Sequence, residues 1–319
     1  AVTFIWGVAT LLGPLFGGLV LQGGDWRDVF WLFALQAGVF SAAAPFLLGG
    51  AGRGSGGPGI PWLQLGVLGV GVAAIAVADL AKGAAFSIGL VAAGIAVLGL
   101  VLRIDHRAKV RLLPHRAGDL TTIVGSGYFA MFALTAASMG FAIYGPPILQ
   151  QLRGFTPLWA GYAIGAESLA WTIAGMSVAH LTGVWDARWI RFGALLLVAS
   201  LLILAATMAD GPIAVVLVGG AFMGAAFGFS WAFMSRRVLA ALADDDRAIG
   251  SSAITAVRQT GAAAGAAISG VAANLAGFSE GLTASSARSA SLWVFASVIP
   301  LALLGTWASF RLTGSAQKA

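Results

Sequence analysis

A chain of 319 residues that is 59% hydrophobic and only 9% charged, with 45 glycines and a mean hydropathy of +0.92, is far from a soluble globular composition, in which about a quarter of residues are charged. The formal net charge of +6 does not argue for nucleic acid, because the basic residues sit in short segments between apolar runs rather than on one solvated face. Cysteine is absent, which excludes disulfide frameworks and thiolate metal sites.

Apolar runs of roughly 20 residues, enough to cross a hydrocarbon core about 30 Å thick, recur along the chain. Ten spans are predicted, at 1–22, 28–48, 60–80, 84–102, 120–145, 157–180, 189–208, 212–234, 249–274 and 290–310. The fold class expected is therefore an all-α membrane protein. Pro61, Pro157 and Pro212 fall at span starts, where a missing amide hydrogen costs nothing. "GGAGRGSGGPG" from Gly49 reads as a flexible linker, "RIDHRAKVRLLPHRAG" from Arg103 as a basic loop, and "SRRVLAALADDDRA" from Ser235 as a segment of mixed sign. Ala1 opens almost directly in an apolar helix with no polar lead-in, which reads as a chain cut from something longer.

The Lys and Arg residues set the expected orientation, since basic loops stay on the cytoplasmic side. With residue 1 inside, 13 of the 18 fall in inside segments; Arg27, Lys82, Arg153 and Arg288 fall outside and Arg258 within a span. Both ends are then cytoplasmic, in a multi-pass protein of the cell membrane. Trp26, Trp62, Trp159, Trp189 and Trp293 lie near span ends, as an interfacial belt requires.

The first span carries Gly13-Pro14-Leu15-Phe16-Gly17-Gly18. Glycines at these spacings strip one helix face of side chains so that a neighbouring backbone can approach, and the proline removes one backbone hydrogen bond. Trp26-Arg27-x-x-Phe30 follows just past the span. The combination resembles the antiporter motif of the fifth helix in the major facilitator superfamily, in particular the fourteen-helix drug:proton antiporter branch. "PPILQQLRGFTPLWAG" from Pro146 is similar to the end of that family's seventh helix, and "SSAITAVRQTGAAAG" from Ser251 to the start of its eleventh. Two departures stand out. Ala9 occupies a position where the family pattern has glycine, and "GVWDARWIRFG" holds only a loose Gly/Asp/Arg loop signature through Gly183, Asp186, Arg188 and Arg191.

The resemblance implies a major-facilitator-type bundle that keeps about ten helices and lacks the first four. Residues 1–48 would be the last two helices of the N-terminal bundle, 49–118 two extra linking helices and a basic cytoplasmic loop, and 119–319 the six-helix C-terminal bundle. Gly13, Pro14, Gly17 and Gly18 would seal the moving interface between the halves. Ordinary glycine packing is the plainer reading of the same four residues.

Glu167 lies ten residues past Pro157, about 15 Å along a helix and close to the bilayer centre. An ionised group there costs at least about 2.5 kcal/mol on insertion scales, so a carboxylate without purpose is expensive to keep. Trp171 follows at i+4 on the same face, and an acid beside an aromatic suits a lipophilic cation. The alternative is a protonated Glu167 hydrogen-bonded to a neighbouring helix. Arg258, the other charge inside a span, precedes Gly261 and Gly265 in a small-xxx-small arrangement that would turn Arg258 and Gln259 toward a polar space. Arg258 could instead snorkel to the interface. Tyr144-Gly145-Pro146-Pro147 is expected to end its span, Asp79 and Lys82 to form an interfacial pair, and Asp244-Asp245-Asp246 to be a solvated cap.

Gly277-Phe278-Ser279-Glu280-Gly281 matches a hydrolase nucleophile elbow but has no strand before it and no histidine nearby, and Gly69-Val70-Gly71 sits in an apolar span rather than after a strand. With three histidines and no cysteine, neither an enzyme's catalytic set nor a metal or cofactor site can be assembled. The function expected is proton-coupled efflux of amphiphilic or cationic small molecules by alternating access, with protons and a small molecule as partners and the bilayer as solvent. Selective transport of one metabolite, and a non-transporting membrane scaffold, are the alternatives.

Overall fold

The computed structural model describes residues 24–48, 59–78, 83–278, 281 and 283–314, together with Ala9, Leu12, Gly13, Phe16 and Val20. Pro14, Gly17, Gly18, Asp79, Lys82 and most of the predicted first span lie outside the described residues. Gly13 is helical, with no described atom within 4 Å of the position its Cβ would take.

Helices account for the described chain: α1 (Trp26–Leu48), α2 (Trp62–Val77), α3 (Ala84–Arg107), α4 (Ile123–Arg153), α5 (Pro157–Val178), α6 (Val184–Thr207), α7 (Ile213–Ala240), α8 (Arg247–Leu275), α9 (Ala284–Ala296) and α10 (Ile299–Gly314). A 3-10 turn at Asp244–Asp246 precedes α8. Each predicted span after the first thus appears as helix. The last is divided at Ser297 and Val298, where Pro300 cannot donate to the preceding turn, yet α9 and α10 together form one apolar stretch of 31 residues.

Local chemistry sets the ends. Thr122 caps α4 by accepting from the Gly125 amide at 3.0 Å, and Thr156 caps α5 by accepting from the Trp159 amide at 3.4 Å, with Pro157 in the first helical position. Pro61 and Pro212 directly precede α2 and α7.

One expectation fails here. Tyr144-Gly145-Pro146-Pro147 does not end its helix, because α4 continues through both prolines and stops only at Gly154, in the left-handed conformation with φ 65°. The prolines leave the Ala142 and Ile143 carbonyls without their usual helical donors, and just beyond them the Gln150 side-chain amide donates to the Pro146 carbonyl at 3.3 Å. Beyond the prolines, Ile148 and Leu149 are fully buried and anchor the extra turns.

α4 is the central post. α5, α8, α9 and α10 pack around it, while α7 joins α5 to α6. From α4, Met131, Leu134 and Phe141 share one core cluster with Leu197 and Leu201 of α6 and Phe295 of α9. α2 and α3 form an antiparallel hairpin that leans on α8 through Ile75, Ala264 and Ala267. Among the described residues the apolar window of α1 carries no buried residue. Among the described residues, six helical stretches are long and apolar enough to cross a membrane; α5 and α8, which hold Glu167 and Arg258, are too polar to be among them.

Candidate functional site

α5 is held against α7 by missing side chains. A Cβ on Gly224 would collide with the Glu167 carbonyl, and one on Gly228 would stand 2.5 Å from the Trp171 carbonyl. Spaced four residues apart, these two glycines let the α7 backbone lie directly on the turn of α5 that bears both predicted site residues. Gly220, one turn earlier, meets the ring of Phe141 from α4. The position of Glu167 is therefore fixed by backbone contact rather than by its own side chain.

The Glu167 carboxylate is half-buried and makes no hydrogen bond or ion pair with any described residue. One turn on, the Trp171 ring stacks on Phe227 of α7 at 5.0 Å with 16° between planes, and Trp231 closes the group at 6.5 Å. Acid and aromatic wall thus stand together as the i+4 spacing requires, and α7 supplies two further rings that the spacing on α5 alone did not reveal.

Arg258 and Gln259 are elsewhere. Gly261 and Gly265 of α8 seat against the backbone of α4 at Phe132 and Ala136, as small residues at this spacing should. That packing leaves Arg258 half-buried and Gln259 exposed, neither bonded to a described side chain. α5 and α8 pack on α4 but not closely on each other, and Glu167 forms no ion pair with Arg258.

Two charged contacts tie down the ends of α6–α8. Arg236 at the end of α7 grips Asp186 in the first turn of α6 with two bonds of 2.6 and 3.2 Å and also donates to the Leu181 carbonyl. This gives Asp186 a structural partner that the loop sequence did not show. The second contact corrects the expected solvated cap. Asp246 is buried, its side chain 6% exposed, and its carboxylate accepts from Arg111 at 2.9 Å and from the His115 amide at 2.9 Å, with His115 Nδ1 at 3.1 Å. Burial alone would raise this acid, but the bonds from His115 and the Arg111 charge outweigh it and hold the carboxyl below its ordinary range. Asp244 and Asp245 remain exposed. The acidic run is a latch for the basic loop.

No family model matches the chain. Two proteins of Mycobacterium tuberculosis, from strains CDC 1551 / Oshkosh and ATCC 25618 / H37Rv, each named a probable multidrug-efflux transporter, are 29% identical to it over 98% of its length. The chain spans 67% of each relative. An uncharacterized MFS-type transporter of the same organism is 29% identical over 52% of the chain and 23% of its own length. The fold is an all-α bundle with candidate membrane spans, and the chain is similar to MFS-type transporters. The chain is thus a multi-pass membrane protein similar to transporters.

Proposed function

We propose that the protein takes part in proton-coupled efflux of amphiphilic or cationic small molecules across the cell membrane, with both ends of this chain cytoplasmic. The observation that carries the reading is the Glu167 carboxylate, unbonded among the described residues and one helical turn from a ring that stacks on Phe227. A titratable acid in low dielectric can exchange a proton, and an acid flanked by aromatic faces can hold a lipophilic cation; competition between the two couples one to the other. The names of the relatives support efflux, and the charge distribution supports the orientation.

In the same reading, residues 119–319 form the C-terminal bundle, residues 49–118 the linking pair and its basic loop, and residues 1–48 the end of the opposing bundle. Gly13, Pro14, Gly17 and Gly18 seal the interface, and Arg258 and Gln259 face the cytoplasmic approach to the cavity. The test is made in liposomes with an imposed proton gradient, using the protein as the cell produces it. Lipophilic cations should release protons, and Glu167→Gln should abolish that release. Release that survives in Glu167→Gln moves coupling to another acid. No release with any cation favours transport of a single metabolite or a scaffold.

A further inference from the structure

At the C-terminal end of α3, a cavity of about 420 Å³ opens between the last two turns of that helix and the loop folded back over it. Its walls carry Arg103, His106 and Arg107 from α3 and Arg111, His115 and Arg116 from the loop, against two carboxylates, Asp105 and Asp119. The carboxylates are already engaged. Asp105 accepts the Leu112 and Leu113 amides at 2.6 and 2.9 Å, and Asp119 accepts Thr121 at 2.6 Å. On the loop, Arg111 and His115 are held by Asp246, and Arg116 lies 3.8 Å from Asp119. Arg103, His106 and Arg107 remain. They lie on one face at i, i+3 and i+4, are exposed, and bond to no described residue.

The cavity is built rather than incidental. Besides the Asp105 clamp, the Gln64 side chain of α2 donates to the Val110 carbonyl at 2.7 Å, and the Asp246 latch pins the far wall. An apolar groove of similar volume, about 420 Å³, lies between α2 and α3 and is lined by Trp62, Gly66, Val70, Val97 and Leu100. Leu100, Arg103 and Arg107 follow one another at i, i+3 and i+7, so a single stripe of α3 runs from the apolar groove into the basic cavity.

We propose that this cavity binds the phosphate of an anionic lipid headgroup, with an acyl chain of the same lipid laid in the groove between α2 and α3. Guanidinium groups unspent on protein carboxylates match a phosphate in charge and geometry, and basic cavities between spans at the membrane face are suited to such headgroups. The adjoining groove selects a lipid over free phosphate, which has nothing to place there. The inference requires only that α3 spans the bilayer, and it stands whether or not Glu167 couples protons.

The test is native mass spectrometry of the purified protein released from micelles containing phosphatidylcholine and phosphatidylglycerol. The wild type should retain phosphatidylglycerol preferentially. Arg103→Gln with Arg107→Gln should weaken that retention about twenty-five-fold, since each basic residue near an anionic surface contributes roughly a factor of five. Lys109→Gln, outside the cavity wall, should leave it unchanged, and Arg103→Lys with Arg107→Lys should restore most of it in a protein that folds. Equal retention of both lipids, or equal losses in Lys109→Gln and the double variant, overturns the proposal. Displacement of phosphatidylglycerol by excess inorganic phosphate would assign the cavity to the free anion and also overturns it.

Discussion

Gly224 of α7 lies so close to the Glu167 carbonyl of α5 that no side chain fits between the two backbones. Replacing Gly224 by Ala forces the helices apart at the acid, an overpacking that costs about 1–3 kcal/mol. Thermal unfolding in detergent should register this as a lower midpoint, and transport should fall with it. Gly99→Ala on α3, where nothing lies within 4 Å, is expected to leave the midpoint unchanged or slightly higher.

The stacked pair of Trp171 and Phe227 makes a second prediction. Trp171→Ala should raise KM for a lipophilic cation about tenfold while sparing neutral amphiphiles, because cation–π attraction in a desolvated site is worth on the order of 1–2 kcal/mol. Trp171→Phe should recover most of the affinity. Equal losses for charged and neutral compounds would mean that Trp171 acts by packing alone.

Asp246 gives a pH prediction with a defined sign. Its carboxyl is held below the ordinary value of 3.8, so the latch contributes stability that is fully present above that pH and is lost as pH falls through the lower, folded value. Asp246→Ala should remove the contribution at neutral pH and leave Arg111 without its partner, at a cost of about 3–5 kcal/mol. Unfolding midpoints followed from pH 7 downward should converge for wild type and variant only below about pH 4.

Arg236 and Asp186 meet through a two-bond fork, which a lysine cannot reproduce. Arg236→Lys is expected to cost about 1 kcal/mol and Arg236→Ala more, since the latter leaves Asp186, with a side chain only 13% exposed, without a cation. Protease accessibility of the α6 start, measured with and without the variant, locates the effect.

The spans were legible because twenty apolar residues between polar breaks have few other uses in a bilayer, and Pro61, Pro157 and Pro212 marked their starts correctly. Pro146 and Pro147 misled for a physical reason: local chemistry at two prolines forbids regular hydrogen bonding, but burial of Ile148 and Leu149 beyond them outweighs it. Glu167 and Trp171 could be paired from spacing because both lie on one helix. Asp246 could not, since its partners Arg111 and His115 lie 135 and 131 residues away and only the fold brings them together. The seat for α5 was readable and was missed. Gly220, Gly224 and Gly228 repeat every four residues within "GGAFMGAAFG", the same small-residue signal that identified Gly261 and Gly265 on α8.

The unbroken passage of α4 through its two prolines has a mechanical consequence. At 31 residues the helix is about 46 Å long, well beyond the hydrocarbon thickness. At its end Arg153 grips the Thr207 and Gly211 carbonyls at the junction of α6 and α7, at 3.3 and 2.5 Å. α4 is thereby a lever fastened at its far arm to two other helices. The end of α4 and the α6–α7 junction are therefore joined by side-chain bonds that a sequence reading of either element alone could not show.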